Sequence, residues 1–173
     1  MHKIFPFSLL IILIASSCEF KAEIKTPEAN SAAKNASKIR NGIQLTENKL
    51  KVSQAFLLYD EDGSLVPETN ELAVGKQVVL RLIIDSGFTV TNGKVFLGAA
   101  EKVQTNEGTV MLDEKDLFSS YKDGVSPKDA SIISLYAQIT RLDKLYDYFL
   151  VTFRVWDKNG TAEVSGSYKL HIK

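Results

Sequence analysis

The fold is decided by residues 148–172, YFLVTFRVWDKNGTAEVSGSYKLHI, in which apolar and polar side chains alternate over two runs. The apolar positions of the first run are Phe149, Val151, Phe153 and Val155. The sequence DKNG between the runs is typical of a turn, because Asp and Asn bond to the local backbone and Gly accepts a positive φ. Alternation with a period of two residues predicts two half-buried antiparallel strands joined as a hairpin.

The same alternation occurs upstream, in QVVLRLIID (residues 77–85) and SIISLYAQITRL (residues 131–142). Short turn-like segments, DEDG, DSG, TNG, NEG and KDG, separate the apolar runs. Strands at this short spacing predict an all-β fold, an antiparallel β-sandwich of about seven strands. The predicted inward positions outside the first run are Val78, Leu80, Leu82, Ile84, Ile133, Leu135, Ala137, Ile139, Val164, Tyr168, Leu170 and Ile172.

Two of these segments resemble immunoglobulin-like modules of bacteria. ELAVGKQVVLRLII (residues 71–84) is similar to their second strand, and residues 142–172 to their sixth strand, hairpin and seventh strand. Leu142 and Tyr148 have the spacing of the leucine and tyrosine that precede the sixth strand of fibronectin type III domains. The resemblance implies an immunoglobulin-like sandwich in which the Tyr148 hydroxyl bonds back to the preceding loop, as in a tyrosine corner.

The first residues have the pattern of an export signal. MHK is basic, and IFPFSLLIILIASS is an apolar segment that ends in small residues directly before Cys18. IASSC resembles the bacterial lipobox, which implies cleavage after residue 17 and attachment of lipid to Cys18. The alternative is an ordinary secretory signal that leaves Cys18 free. Because Cys18 is the one cysteine of the chain, it has no disulfide partner within the chain, which favours lipidation.

These features predict three regions: a signal peptide at residues 1–17, a lipid-anchored tether at residues 18–48, and the β-sandwich at residues 49–173. The combination resembles lipoproteins of Bacteroidetes-type bacteria, which implies a location in the cell envelope and no particular activity. Glu19 follows Cys18 where an inner-membrane retention signal would have Asp. The predicted location is therefore the outer membrane.

The composition predicts a protein without catalytic activity. Its 21 basic and 21 acidic residues balance, so we expect no nucleic-acid partner. His171 is the one histidine after the signal peptide, and the phosphate-binding glycine motifs do not occur. Most of the acidic residues are expected in turns or on outward faces, whereas catalysis would require an embedded carboxylate with a raised pKa. An enzyme that uses carboxylates is the less favoured alternative.

Calcium is the one cofactor that the sequence suggests, and only as a minority interpretation. Asp60 and Asp62 lie in one acidic turn, and Asp157 and Asn159 in another. If both turns lie at one end of the sandwich, their oxygens converge on a cation. The alternative, which the sequence favours, is that both are simply good turn sequences.

Leu150, Arg154 and Trp156 alternate with the inward residues of their strand and are the candidate ligand-binding residues. Trp and Arg are enriched at binding surfaces. The competing interpretation, which the sequence favours, is that Trp156 caps one end of the core. The predicted function is a non-catalytic, lipid-anchored envelope binding module for a glycan or an envelope protein. The alternative is a structural subunit that self-associates through exposed strands.

Overall fold

The computed structural model describes residues 18–24 and 39–173. They form ten strands and one short helix, so the fold is all-β as predicted. The elements are β1 (Cys18–Ile24), β2 (Gln44–Asn48), β3 (Lys51–Tyr59), β4 (Glu71–Leu72), β5 (Gln77–Ser86), β6 (Leu97–Thr105), β7 (Val110–Glu114), α1 (Pro127–Ala130), β8 (Ile132–Ile139), β9 (Phe149–Asp157) and β10 (Glu163–Ile172).

The strands form two sheets that pack face to face. One has the order β1-β8-β5-β3, and the other has the order β2-β10-β9-β6-β7, with β4 paired in parallel to β10. The order β3-β5-β8 opposite β6-β9-β10 is the arrangement of the A-B-E and C-F-G strands in immunoglobulin-like sandwiches. The predicted antiparallel sandwich is confirmed, and β1, β2, β4 and β7 are additions to these six strands.

The inward faces predicted from alternation are confirmed. Every predicted inward residue of β5, β8, β9 and β10 is buried between the two sheets. Burying a large aliphatic or aromatic side chain contributes about 1.5–3 kcal/mol relative to its exposed state. The core formed by these alternating residues therefore holds the sandwich together.

The predicted boundary between tether and domain at residue 49 is wrong. Residues 44–48 form β2, which pairs with β10, and Asn41 and Ile43 are buried. At the other end of the predicted tether, residues 18–24 form β1, which pairs with β8 from Cys18↔Ile139 to Ile24↔Ile133. The reason lies in the sequence EFKAEI (residues 19–24), whose apolar and charged residues alternate as in a strand.

The predicted signal peptide, residues 1–17, and residues 25–38 of the predicted tether lie outside the described residues. In the described part of the chain, no helix combines the length and the hydrophobicity needed to cross a membrane.

The tyrosine that bonds back to the preceding loop is Tyr146 instead of Tyr148. The Tyr146 hydroxyl lies 2.9 Å from Oδ1 of Asp143, and its ring packs edge-on against Phe149 at 5.3 Å between centroids. Tyr148 lies outside the core, with the ammonium group of Lys169 4.0 Å from its ring centroid. Since Phe149 points inward, its neighbour Tyr148 must point outward, and Tyr146 fills the corner.

Candidate functional site

The outer face of the β2-β10-β9-β6-β7 sheet carries the predicted ligand-binding residues. Val155 points into the core, so Arg154 and Trp156 on either side of it point outward. The register of β10 places Glu163 opposite Trp156 and Ser165 opposite Arg154. The structure thus brings Trp156 and Arg154 together on one open face.

Trp156 packs on the sheet surface because its neighbour on β6 has no side chain. Gly98 pairs directly with Trp156, and a Cβ at Gly98 would lie 2.3 Å from two carbons of the indole ring. The guanidinium of Arg154 lies over the ring, 5.0 Å from its centroid. The interpretation that Trp156 caps the core is therefore wrong: the ring lies on the outside of the sheet.

An ion pair fixes the position of Arg154. Its Nε donates a hydrogen bond of 2.8 Å to Oε2 of Glu163, and its Nη2 donates to the same oxygen. Arg154 and Glu163 both remain partly exposed, so the pair adds little stability in water. Its effect is local, because it holds the guanidinium over Trp156. We refer to Gly98, Arg154, Trp156 and Glu163 as the Trp156 cluster.

Small polar side chains surround the Trp156 cluster on the same face. The register of β2 with β10 places amide and hydroxyl groups next to those of β10 and β9. Hydroxyl and amide groups both donate and accept hydrogen bonds, so this surface suits a ligand rich in hydroxyls. These residues are Thr46, Asn48, Thr152, Ser165 and Ser167.

Leu150 lies on the same face but apart from the Trp156 cluster. It pairs with Lys169 on β10 and Gln104 on β6. Six residues of extended strand separate it from Trp156, roughly 20 Å. A ligand of monosaccharide size in contact with Trp156 therefore does not reach Leu150.

We predict that Gly98→Ala displaces the indole of Trp156 and leaves the fold intact. The added Cβ would overlap the ring, and the ring, lying on the surface, can rotate away. Trp156 is the one tryptophan of the chain, so its fluorescence emission should shift to longer wavelength. Ala100→Ser is the matched control, because Ala100 lies on β6 with Gly98 and pairs with Arg154 of β9 instead of Trp156. An unchanged emission spectrum for Gly98→Ala would contradict the packing of Trp156 on Gly98.

The two acidic turns proposed to share a calcium ion lie at opposite ends of the sandwich. The amide of Asp60 donates to the carbonyl of Gln77, the first residue of β5. Asp157 accepts a 2.7 Å hydrogen bond from the amide of Thr89, just beyond the last residue of β5. The ten residues of β5 span roughly 30 Å. The prediction that the oxygens of Asp60, Asp62, Asp157 and Asn159 converge on one cation is therefore wrong.

Each turn uses its carboxylate to stabilise its own backbone. Asp62 accepts from the amide of Ser64 at 2.9 Å and from its hydroxyl at 2.6 Å, and these bonds lower the pKa of Asp62. Asp157 accepts from the amides of Thr89 and Asn159. Among residues 18–24 and 39–173, no three acidic, histidine or cysteine side chains form a group that could hold a metal ion.

Glu101 is a buried carboxyl that the sequence interpretation missed. It lies on the inward face of β6 between Ala99 and Val103 and is 1% exposed. Neither carboxyl oxygen has a hydrogen-bond partner in the described residues, and burial raises the pKa of Glu101 to about 8. The Tyr168 hydroxyl is also buried without a hydrogen bond, and burial and the charge of Glu101 raise its pKa.

Glu101 is therefore an exception to the expectation that most acidic residues lie in turns or on outward faces. The signal was present in LGAAEKVQT (residues 97–105), where Ala99, Glu101 and Val103 share one face of an alternating strand. Glutamate is almost never fully buried. Its presence among Ala99 and Val103 therefore argues against burial of their face, and alternation alone does not indicate which face of β6 is buried.

Comparison with known proteins gives little similarity. No protein-family model matches the chain, and no curated protein matches it. Among solved structures, the C-terminal domain of Wzt is similar, with 11% sequence identity, a TM-score of 0.48, and coverage of 80% of this chain and 82% of that one. The fold of this chain is assigned from its own strand order and register.

Proposed function

We propose that the protein is a non-catalytic, lipid-anchored binding module of the bacterial cell envelope, located in the outer membrane, and that it binds a glycan at the Trp156 cluster. The observation that carries the proposal is the position of Trp156, on an open sheet face beside Arg154. Tryptophan supplies a large, rigid apolar surface together with an indole N–H donor.

The surroundings of Trp156 favour a glycan over other ligands. A sugar ring presents an apolar C–H face that packs on an aromatic ring, and hydroxyls at its edge that need hydrogen-bond partners. Ser165 and Thr46 pair with each other across β10 and β2, one row from Trp156. A ligand on this face therefore meets an aromatic surface and several hydroxyl groups at once.

The proposed lipid anchor is Cys18. The support comes from the sequence, where the lipobox-like IASSC ends at this residue. Cys18 is also the first residue of β1, which pairs with β8. Attached lipid would therefore hold the sandwich to the membrane through a strand of the domain itself.

The buried carboxyls support a non-catalytic protein. Glu101 lies between the sheets at 1% exposure, where a substrate has no access. Asp157 is also buried, and both of its oxygens accept backbone hydrogen bonds. Asp157 pairs with Leu97 on β6, four residues from Glu101, so the two carboxyls are roughly 13 Å apart along the strand. They do not form an acid–base pair.

Self-association through exposed strands is the competing function. The larger sheet has two outer strands, β2 and β7, and the edge strand β7 carries Asp113 and Glu114. Its pairing with β6 is also irregular between Val103 and Gln104. Charged residues and bulges on an edge strand discourage pairing with a second copy, so the open face is the better candidate for binding.

The expected result for Trp156→Ala is loss of glycan binding without loss of folding. Glycan arrays identify the ligand, and calorimetry on the best glycan should show binding weakened by about 2 kcal/mol, or ~30-fold in Kd. Tyr121→Ala is the matched control, because Tyr121 is an exposed aromatic residue away from the sheet face. It should bind as the wild type does.

Two outcomes would reject this proposal. If the protein binds no glycan but binds a purified envelope protein through Trp156, the glycan is the wrong ligand, although the Trp156 cluster is still the binding site. If light scattering shows oligomers whose formation Trp156→Ala does not affect and edge-strand substitutions abolish, the structural-subunit function replaces it.

A further inference from the structure

The sandwich has two ends that differ in their contacts. At one end, the amide of Gly75 donates to the carbonyl of Ile139, the last residue of β8, at 2.8 Å. The neighbouring amide of Val74 donates to the carbonyl of Lys173, just after β10. Because Cys18 pairs with Ile139, Cys18 lies at this end. We call it the Cys18 end, and it includes the turn at residues 73–76 and the loop at residues 140–148.

The opposite end carries the Trp156 cluster. Asp157 ends β9 there and accepts from the amide of Thr89. β9 runs from Phe149 at the Cys18 end to Asp157 at the other. Seven residues of extended strand separate Phe149 from Trp156, roughly 23 Å. We call this the Trp156 end.

We propose that the Cys18 end rests on the membrane surface, with Leu145 as its contact, and that the Trp156 end points away from the membrane. The inference rests on the proposed lipid anchor at Cys18 and adds an orientation to it. Its basis is the pairing of β1 with β8, which leaves no free chain between Cys18 and the domain.

The Cys18 end exposes apolar side chains that suit a lipid surface. Leu145, in the loop that follows β8, is 82% exposed, more than any other large apolar side chain in residues 39–173. Exposed valines occur at both ends, since Val74 at the Cys18 end is 42% exposed and Val90, next to Thr89 at the Trp156 end, is 54% exposed. Leu145 is what distinguishes the Cys18 end. Transfer of such an exposed leucine side chain from water into the apolar side of the membrane interface is favourable.

The contact is apolar and not electrostatic. Lys144, next to Leu145, is paired with Glu107 at 2.6 Å, and Lys76 is paired with Glu61. These pairs leave little net positive charge to attract anionic lipids. The occupant that fits is therefore the interface of a zwitterionic, phosphatidylcholine-like bilayer without net charge, which the domain reaches because the lipid on Cys18 holds it there.

The orientation has a consequence for binding. A ligand on the Trp156 cluster would be held roughly 20 Å or more from the membrane surface, given the length of β9. A long surface or periplasmic polymer can reach that position without entering the headgroup layer.

The test uses the full chain, expressed with its own signal peptide in a bacterial host, purified from membranes and placed in phosphatidylcholine vesicles that contain brominated lipids. Bromine quenches tryptophan fluorescence only at short range. Trp156, as the one tryptophan, should be quenched weakly. Leu145→Trp in a Trp156→Phe background should be quenched several-fold more strongly, at low and at high salt concentration.

Tyr121→Trp in the same background is the matched control, because Tyr121 is also partly exposed and its loop joins β6 near the Trp156 end through Val125 and Val95. It should be quenched as weakly as Trp156. Equal quenching at all three positions, or stronger quenching at position 156, would overturn the orientation while the anchor stands. A mass spectrum without diacylglycerol on Cys18 would overturn the anchor and the orientation together.

Discussion

Raising the pH from about 5 to about 8 should destabilise this protein by roughly 3–4 kcal/mol through Glu101 alone. The cause is the difference between its pKa of about 8 in the folded protein and its ordinary value of 4.5. Burial between the sheets penalises the carboxylate, and no hydrogen bond compensates in the described residues.

The sign follows from proton binding. Between about pH 4.5 and about pH 8, the folded protein keeps the Glu101 proton and the unfolded chain has released it. Stability therefore falls as the pH rises through this window, by about 1.4 kcal/mol per pH unit in its middle. Above about pH 8 the folded protein also releases the proton, and this contribution levels off.

Glu101→Gln removes the titration, so the free energy of unfolding in urea should become nearly independent of pH between about 5 and 8. Glu101→Leu also removes the unpartnered polar atoms and should be more stable than the wild type at pH 8, because an apolar side chain replaces a buried polar one. Glu114→Gln is the matched control, since Glu114 lies on β7 directly opposite Glu101 of β6 and is exposed. A wild-type stability that does not fall between pH 5 and 8 would show that Glu101 keeps an ordinary pKa.

Asn41→Ala should destabilise the protein by about 3–5 kcal/mol, because it breaks a buried network and leaves polar groups unpaired. The Asn41 amide donates to Val66 and Pro67 carbonyls and, at 2.8 Å, to Oδ1 of Asn70. Its oxygen accepts from the amide of Leu57 at 2.9 Å. Without this side chain the Leu57 N–H is buried and unsatisfied.

Asn70 connects the same network to the last strand. Its amide nitrogen donates to the carbonyls of Asn41 and Lys169, both at 2.8 Å. The segment before β2 is thereby joined to β10. We expect Asn70→Ala to act through the same bonds, so the double variant should cost less than the sum of the two single ones.

Backbone conformation must be separated from hydrogen bonding in this test. Asn41 has φ 58°, where alanine is strained by about 1–2 kcal/mol and glycine is not. Asn92→Ala is the matched control, because Asn92 has φ 52° on the exposed surface and should cost only that strain. Asn41→Gly should remain much less stable than the wild type in urea titration. If Asn41→Gly unfolds like the wild type, the network contributes nothing measurable.

The fold was largely predictable from local sequence. Alternation predicted which side chains of β5, β8, β9 and β10 face inward, and burial confirms each of them. Turn residues predicted where strands end, because Gly and Asn at positive φ are favoured there; Gly63 and Gly93 both have positive φ. Both signals depend on interactions between residues only a few positions apart, which is why they can be read from the sequence alone.

The candidate site was predictable only in part. Alternation placed Arg154 and Trp156 opposite the core residues, but the indole packs against the sheet because Gly98, which has no side chain, pairs with Trp156. Gly98 and Trp156 are 58 positions apart in the chain, so no local sequence pattern predicts this pairing. Glu101 was missed for a similar reason, since its burial depends on the sheet that covers it.

The sequence by itself determined strands β5, β8, β9 and β10, their buried faces and the composition of the turns, because the period of apolar residues is a local property of an extended chain. Only the tertiary structure decided that the turns at Asp60 and Asp157 lie at opposite ends, that β1 pairs with β8, and that Glu101 is enclosed. Each of these depends on which distant segments pair and in which register. That choice is made by the packing of the whole core, to which every strand contributes.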